Sequence, residues 1–341
     1  MKRQPRSNPR SVRPRRSVSI VGTGSYTPER VLTNDDLSKI VNTSDEWITT
    51  RTGIKERRVA AKDEHTSDMA ARAALKAMEQ AHVKPEEIDL ILVATTTPDM
   101  LFPATACFVQ QKIGARRAAC LDIQAACAGF LVAVQIAQQF ITSHTFDTIL
   151  VIGAEKLTTI TNWTDRNTCV LFGDGAGAAI LRHRSEGAHG LISTHVGSDG
   201  QYTDILDMPG GGCRTPITRD NVDKNLQTIH MLGREVYKQA VTSMLKASKI
   251  VLEQSGLTPD DIACFIPHQA NMRIIEAIAD RLKVPLERFF VNLDKYGNTS
   301  AAAVAIALDE ANRSGRIKRG DYVLLVVFGG GLTWASAVLE W

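Results

Sequence analysis

The sequence predicts an α/β protein built from two similar halves. Two observations predict it. Helical apolar patterns alternate with short apolar strands along nearly the whole chain, as in sheets covered by helices. The chain also repeats itself at a fixed spacing. The stretch ALKAMEQAHVKPEEIDLILVATTT (74–97) matches MLKASKIVLEQSGLTPDDIACFIPHQAN (244–271). Both run a helix to Glu-Gln, then Pro, two acids, Ile and an apolar strand. Glu79 pairs with Glu253, Gln80 with Gln254 and Pro85 with Pro259, each 174 residues further on.

The same spacing continues downstream. The strand TILVIGAE (148–155) falls on YVLLVVFG (322–329), and Cys127 falls on Ala301, three residues after Asn298. A last strand, GAGAAIL (175–181), resembles TWASAVL (333–339) at a shorter spacing. The expected halves are 17–185 and 225–341, joined by a Gly-rich connecting insert, 186–224.

The 341 residues are about twice a typical domain, enough for a large core. The chain is 44% hydrophobic and 23% charged, ordinary for a globular protein. Its net charge of +3 is unevenly placed. The first sixteen residues, MKRQPRSNPRSVRPRR, hold seven Lys/Arg and no acid, which leaves the body at −4. This Pro-, Ser- and Arg-rich tail, 1–16, is expected to be disordered. It lacks the apolar stretch of a secretory signal; a transit peptide or a contact with an acidic partner stays open. No run of about 18 apolar residues predicts a membrane span. The six Cys form no C-x-x-C pair and no short Cys/His cluster. That speaks against structural zinc and a disulfide framework, and for a reducing cytosol.

Four segments carry chemistry. In QAACAGFLVAVQIAQQF (124–140), small residues surround Cys127 and a Gly-free apolar helix follows Gly129. A thiol at the N-terminus of a buried helix has a dipole and free N–H groups favouring thiolate. A buried structural Cys is the alternative. In IPHQANMRII (266–275), His268 sits where an apolar strand stops, the end at which α/β sheets present functional groups. A structural His fits the local pattern as well. In KYGNTSAAAVAIALDEA (295–311), Asn298 precedes a small-residue helix, although Asn, Thr and Ser are also ordinary helix caps. In VVFGGGLTWASA (326–337), three glycines after a strand bring backbone N–H groups within reach of a ligand. No Lys-Ser/Thr follows, which excludes a Walker loop, and GDGAGAA (173–179) lies inside a strand pattern, which excludes a dinucleotide site.

Together these segments resemble 3-oxoacyl-[acyl-carrier-protein] synthase III of the thiolase superfamily, over about residues 17–341. Seven segments match in the family's order: TSDEWITTRTGIKERR (43–58), AACAGF (125–130), TDRNTCVLFGDGAGAA (164–179), HMLGREVYK (230–238), PHQANMRII (267–275), YGNTSAA (296–302) and FGGGLTW (328–334). Within the superfamily the third catalytic residue discriminates: thiolases are expected to use a second Cys, elongating synthases a second His, and this branch Asn, here Asn298.

The resemblance implies a thiolase-like fold, two duplicated α/β halves in a five-layered αβαβα arrangement. It implies decarboxylative condensation of a short acyl-CoA with malonyl-acyl carrier protein, initiating fatty-acid synthesis. Cys127 would carry the acyl group, His268 and Asn298 would stabilise the enolate, and the N–H groups of Cys127 and Gly330 would hold the oxyanion. Trp47, Arg51, Arg166, Gly233 and Tyr237 would bind CoA; Tyr237 departs from the Phe usual there. Lys238, Gln269, Ala270, Asn271, Met272 and Arg273 would contact the carrier protein. Phe102 would close the acyl pocket across a homodimer. No cofactor, metal, nucleic acid or membrane is expected, and the cytoplasm is the expected compartment. A related condensing or acyl-transfer enzyme of secondary metabolism is the nearest alternative, and a non-catalytic scaffold of the same fold the most distant.

Overall fold

The computed structural model describes residues 17–184 and 190–341. The basic tail, expected to be disordered, lies outside the described residues. The first half runs β1 (Ser17–Tyr26), β2 (Arg30–Thr33), α1 (Asn34–Ser38), α2 (Asp45–Thr52), β3 (Glu56–Val59), α3 (Thr66–Ala81), β4 (Leu90–Ala94), α4 (Thr105–Ile113), β5 (Ala119–Ile123), α5 (Gly129–Thr142), β6 (Thr148–Lys156) and β7 (Asp174–Arg184). The second runs β8 (Leu191–Ser198), β9 (Leu206–Asp207), β10 (His230–Met231), α6 (Gly233–Ser255), β11 (Ile262–Pro267), α7 (Met272–Leu282), α8 (Leu293–Tyr296), α9 (Ala301–Arg313), β12 (Tyr322–Gly329) and β13 (Thr333–Glu340).

Two sheets result, ordered β1-β7-β6-β4-β5 and β11-β12-β13-β8. In each, the strand after the first long helix pairs in parallel with the next long strand and that one pairs antiparallel with its successor. α3 and α4 cover the outer face of the first sheet, and α6 the outer face of the second. α5 and α9 lie between the sheets, which gives the five layers. The strand β8 occupies in the second sheet the edge that β1 occupies in the first. The second half therefore starts inside the 186–224 stretch expected as a connection, and not at 225.

The middle layer explains the small residues of α9. Helix AAAVAIALDEANR is sandwiched between sheets, and ten of its thirteen residues are buried. A Cβ on Gly177 would stand 2.5 Å from Ala305 Cβ, and one on Gly153 would stand 2.2 Å from the Ala301 carbonyl oxygen. Asp309, buried on the same helix, accepts from Thr23 Oγ1 at 2.8 Å and Ser25 Oγ at 2.6 Å, tying α9 to β1. The duplication also reaches the backbone. Ala126 and Ser300 stand 174 residues apart, and both hold positive φ, 45° and 48°, ahead of the two central helices.

Arg57, wholly buried, clamps the Leu32–Asn34 segment to Val170. Its guanidinium donates to the Leu32 carbonyl at 3.0 Å, Asn34 Oδ1 at 2.9 Å and the Val170 carbonyl at 2.8 Å. Burial lowers its pKa to about 10, so it stays a cation at neutral pH. Arg57→Leu strands three buried acceptors at about 1–3 kcal/mol each. We expect a loss of about 3 kcal/mol or more in urea unfolding at pH 7, and a change below about 0.5 kcal/mol would refute the clamp.

Candidate active site

The central helices aim two sets of groups at one point. β5 ends at Ile123, and a tight turn, Ala126–Ala128, carries Cys127 to the start of α5. The backbone of Gly329 fits directly against it: a Cβ there would lie 2.6 Å from the Cys127 nitrogen. Glycine at 329 is therefore a steric requirement of the turn. The Cys127 thiol is buried, with 8% exposure.

The second half brings His268 and Asn298. His268 extends β11, its N–H donating to the Val326 carbonyl at 2.8 Å. Asn298 is held by its main chain to Leu171 at 2.8 Å and Gly173 at 3.1 Å. Gly297 before it has φ 64°, and a Cβ there would lie 2.6 Å from the Leu171 carbonyl oxygen. The Asn298 Oδ1 accepts from the Ser300 N–H at 2.9 Å, which leaves Nδ2 as the group free to donate into the site.

Burial sets the electrostatics. It pushes the Cys127 thiol up to about 12, against smaller lowering contributions from the Ser300 hydroxyl and its own N–H. Burial thus opposes the thiolate that the helix N-terminus and its N–H groups favour. Burial also lowers His268 to about 4, so the imidazole is neutral. Its Nδ1 is buried with no partner, and we assign the ring proton to Nε2.

A cavity of about 960 Å³ joins these groups to the surface. Cys127, His268, Asn298, Ser300 and Gly330 line it, as do Trp47, Arg51, Gly233 and Tyr237. Trp47 is half-buried and Arg51 exposed, so they mark its mouth. Arg51 lies 4.6 Å and Arg166 5.1 Å from the Trp47 ring centroid. Arg166 is anchored by donating to the Asn42 carbonyl at 3.0 Å. With Arg166 already on the indole, a planar ligand must displace the guanidinium to be sandwiched.

Ala270 and Asn271 also line the cavity, while Met272 is half-buried beside Gly53. Arg273 and Lys238 are exposed. Gln269 is a correction. It is 1% exposed, its Nε2 donates to the Pro267 and Phe290 carbonyls at 2.8 and 3.1 Å, and its Oε1 accepts from the Asn292 N–H at 3.0 Å. It is a strut between loops and presents nothing to a carrier protein. Phe102 is 83% exposed and does not line this chain's cavity.

Sequence reasoning missed three contributors. The 186–224 stretch and its continuation supply cavity wall through Leu206, Met208 and Ile229. Ser300 stands at the N-cap position of α9 yet makes no capping bond, and it lines the cavity with Cys127. Glu155 is buried on β6 beside them. Among the described residues no cluster of three His, Cys, Asp or Glu could hold a metal ion, and no helix is long and apolar enough to cross a membrane.

A family model described as 3-Oxoacyl-[acyl-carrier-protein (ACP)] synthase III matches residues 121–200, and its C-terminal counterpart matches 252–341. A beta-ketoacyl-[acyl-carrier-protein] synthase III from Caldanaerobacter subterraneus subsp. tengcongensis is 57% identical over 95% of this chain and 98% of its own. One from Clostridium acetobutylicum is 53% identical over 95% of this chain and 99% of its own. The crystal structure of 3-oxoacyl-[acyl-carrier-protein] synthase III from Aquifex aeolicus VF5 superposes with a TM-score of 0.88 at 49% identity, covering 95% of this chain and 100% of that one. The chain belongs to the 3-oxoacyl-[acyl-carrier-protein] synthase III family and is a condensing acyltransferase of fatty-acid synthesis.

Proposed function

We propose that Cys127 takes a short acyl group, acetyl in the simplest case, from acyl-CoA and that malonyl-acyl carrier protein then condenses with it. The observation that carries this reading is the convergence of Cys127, His268 and Asn298 from two half-folds in one cavity. Cys127 attacks the thioester and CoA leaves. Malonyl follows the same route, loses CO2, and its enolate oxygen is held by His268 Nε2–H and Asn298 Nδ2–H. The carbanion attacks the acyl-Cys127 thioester to give the 3-oxoacyl product. Neutral donors suffice for this, so the reading calls for no metal or cofactor. The test supplies acetyl-CoA and malonyl-acyl carrier protein and follows CO2 with the 3-oxobutanoyl product. Acyl transfer without CO2 would sink the reading in favour of an acyl-transfer enzyme of secondary metabolism.

The mouth suits CoA. The Trp47 ring with Arg51 and Arg166 offers a flat aromatic face and two cations to an adenine and its phosphates. Gly233 and Tyr237 line the route for the pantetheine arm. We expect Trp47→Ala to raise KM for acetyl-CoA roughly tenfold, the ratio that ~1.4 kcal/mol gives, with the saturating acylation rate unchanged. An acetyl donor truncated before the nucleotide should react equally with both forms; equal loss on the short donor would place Trp47 elsewhere in the mechanism.

Exposed Lys238 and Arg273 near that mouth offer positive charge to an acidic carrier protein. We place the enzyme in the cytoplasm, where its six free cysteines would stay reduced. We also read it as a homodimer. Met100, Leu101 and Phe102 expose apolar side chains, Leu101 at 87%, and Leu121 is exposed on the edge strand β5. Phe102 would then reach a partner's acyl pocket. A monomer in sedimentation at micromolar concentration would overturn that reading.

A further inference from the structure

Glu310 is a half-buried carboxyl on α9 that the mechanism above leaves unused. It stands nine residues beyond Ala301, where α9 begins. At a rise of about 1.5 Å per residue, that is roughly 14 Å along the helix from its start. From there it holds both segments that carry the enolate donors. Its Oε2 accepts from Asn292 Nδ2 at 2.9 Å, and its Oε1 accepts from the Tyr296 hydroxyl. Asn292 is the N-cap residue of α8 and Tyr296 its last residue, so one carboxyl brackets this short helix at both ends.

Each arm continues to one donor. On the first, the Asn292 N–H donates to Gln269 Oε1 at 3.0 Å, and Gln269 directly follows His268. Gln269 Nε2 donates in turn to the Pro267 carbonyl at 2.8 Å, so the residues on both sides of His268 are tied to the Asn292 loop. On the second, the Gly297 N–H donates to the Leu293 carbonyl at 2.9 Å, and Asn298 comes next. Arg58 packs over the Tyr296 ring, 5.8 Å from its centroid. Burial and the bond to Glu310 raise the phenol above its usual range, so Tyr296 stays a donor. None of these bonds reaches the Ala126–Ala128 turn that carries Cys127.

The geometry points to Glu310 as a positioning residue for the condensation half-reaction, one that sets His268 and Asn298 relative to each other without touching substrate. The inference rests on the condensing reading above, in which those two side chains hold the enolate. An oxygen bound by two donors from separate loops needs both at hydrogen-bond distance at once. A shift of about 1 Å in one of them costs up to about 10²-fold in rate. Acylation of Cys127 uses neither donor.

The blander role is a brace for α8 alone. Single-turnover acylation from acetyl-CoA, read by intact mass, and CO2 release from malonyl-acyl carrier protein separate the two roles. Glu310→Ala should lower CO2 release about tenfold, with KM for malonyl-acyl carrier protein and the acylation rate both within about twofold of wild type. Glu310→Gln should recover most of that loss, because its carbonyl still accepts from Asn292 and its amide donates to the Tyr296 oxygen. Tyr296→Phe removes one arm while the ring still fills its space, and should lower CO2 release about threefold. In an Asn298→Ala background the same change should cost nothing further, since that arm has no donor left to place. Wild-type CO2 release in Glu310→Ala would overturn the positioning role, and so would equal losses in acylation and CO2 release. A Gln variant as slow as the Ala one, or a full further loss from Tyr296→Phe on Asn298→Ala, would overturn it too. A wild-type enzyme that releases no CO2 would overturn the condensing reading along with it.

Discussion

Cys127→Ala is expected to lower condensation by at least about 10⁴-fold while leaving malonyl-acyl carrier protein decarboxylation measurable. Covalent catalysis depends on the sulfur, and no other group lining the cavity near it is a comparable nucleophile at neutral pH. Its removal takes the reaction back to direct attack on a bound thioester. Alanine fits the turn against Gly329 without strain, so the fold should not respond. His268 and Asn298 are held by β11, β12 and the Leu171–Gly173 segment, and none of those contacts involves the thiol. Their hold on an enolate should survive. Intact mass after acetyl-CoA exposure and trapped CO2 check both halves. An acetyl adduct on the variant, or CO2 release that vanishes with the thiol, would refute this division of labour.

That division was partly visible in the residues before any coordinates. The 174-residue spacing sets Glu79 on Glu253 and Cys127 on Ala301 because each helix-strand unit packs the same way on its sheet. It therefore announced two halves. It did not announce β8. Buried strands such as LILVA (90–94) read as apolar runs, whereas LISTHVGS (191–198) is an edge strand, half-exposed, and carries Ser, Thr and His that read as a connection. Gln269 was misplaced for a related reason: it follows His268 in sequence, but its side chain turns into the protein and is spent on backbone groups. Ser300 was illegible because a serine before a helix is an ordinary cap. Its positive φ and missing capping bond set it apart from such a cap, and it lines the cavity with Cys127. Glu155 stands near the end of an apolar strand where an acid normally marks the surface; the donors that receive its carboxyl, on Thr95, Thr96 and Thr97, are distant in sequence and leave no local trace.

His268→Ala and Asn298→Ala should give the reverse of Cys127→Ala. Each removes one donor to an enolate that forms only after CO2 departs, in a site shielded from water. Losing such a donor costs about 10²–10³-fold in rate. Acylation of Cys127 should stay within a few-fold of wild type, since neither side chain is hydrogen-bonded to the thiol. The pH dependence carries the sharper test. Burial alone lowers His268 to about 4, so the neutral ring persists well below pH 6.5. Decarboxylation should therefore show no limb near pH 6.5 from this group and should lose His268 as a neutral donor only near pH 4. Stability has a matching sign. The unfolded ring binds a proton near pH 6.5 and the folded ring near 4, so folding weakens as pH falls through that window, by up to about 3 kcal/mol. His268→Ala should flatten that slope while Asn298→Ala keeps it. A decarboxylation limb at pH 6.5 that disappears in His268→Ala would show that the imidazole is solvated, and with it that the neutral-donor account of this site is wrong.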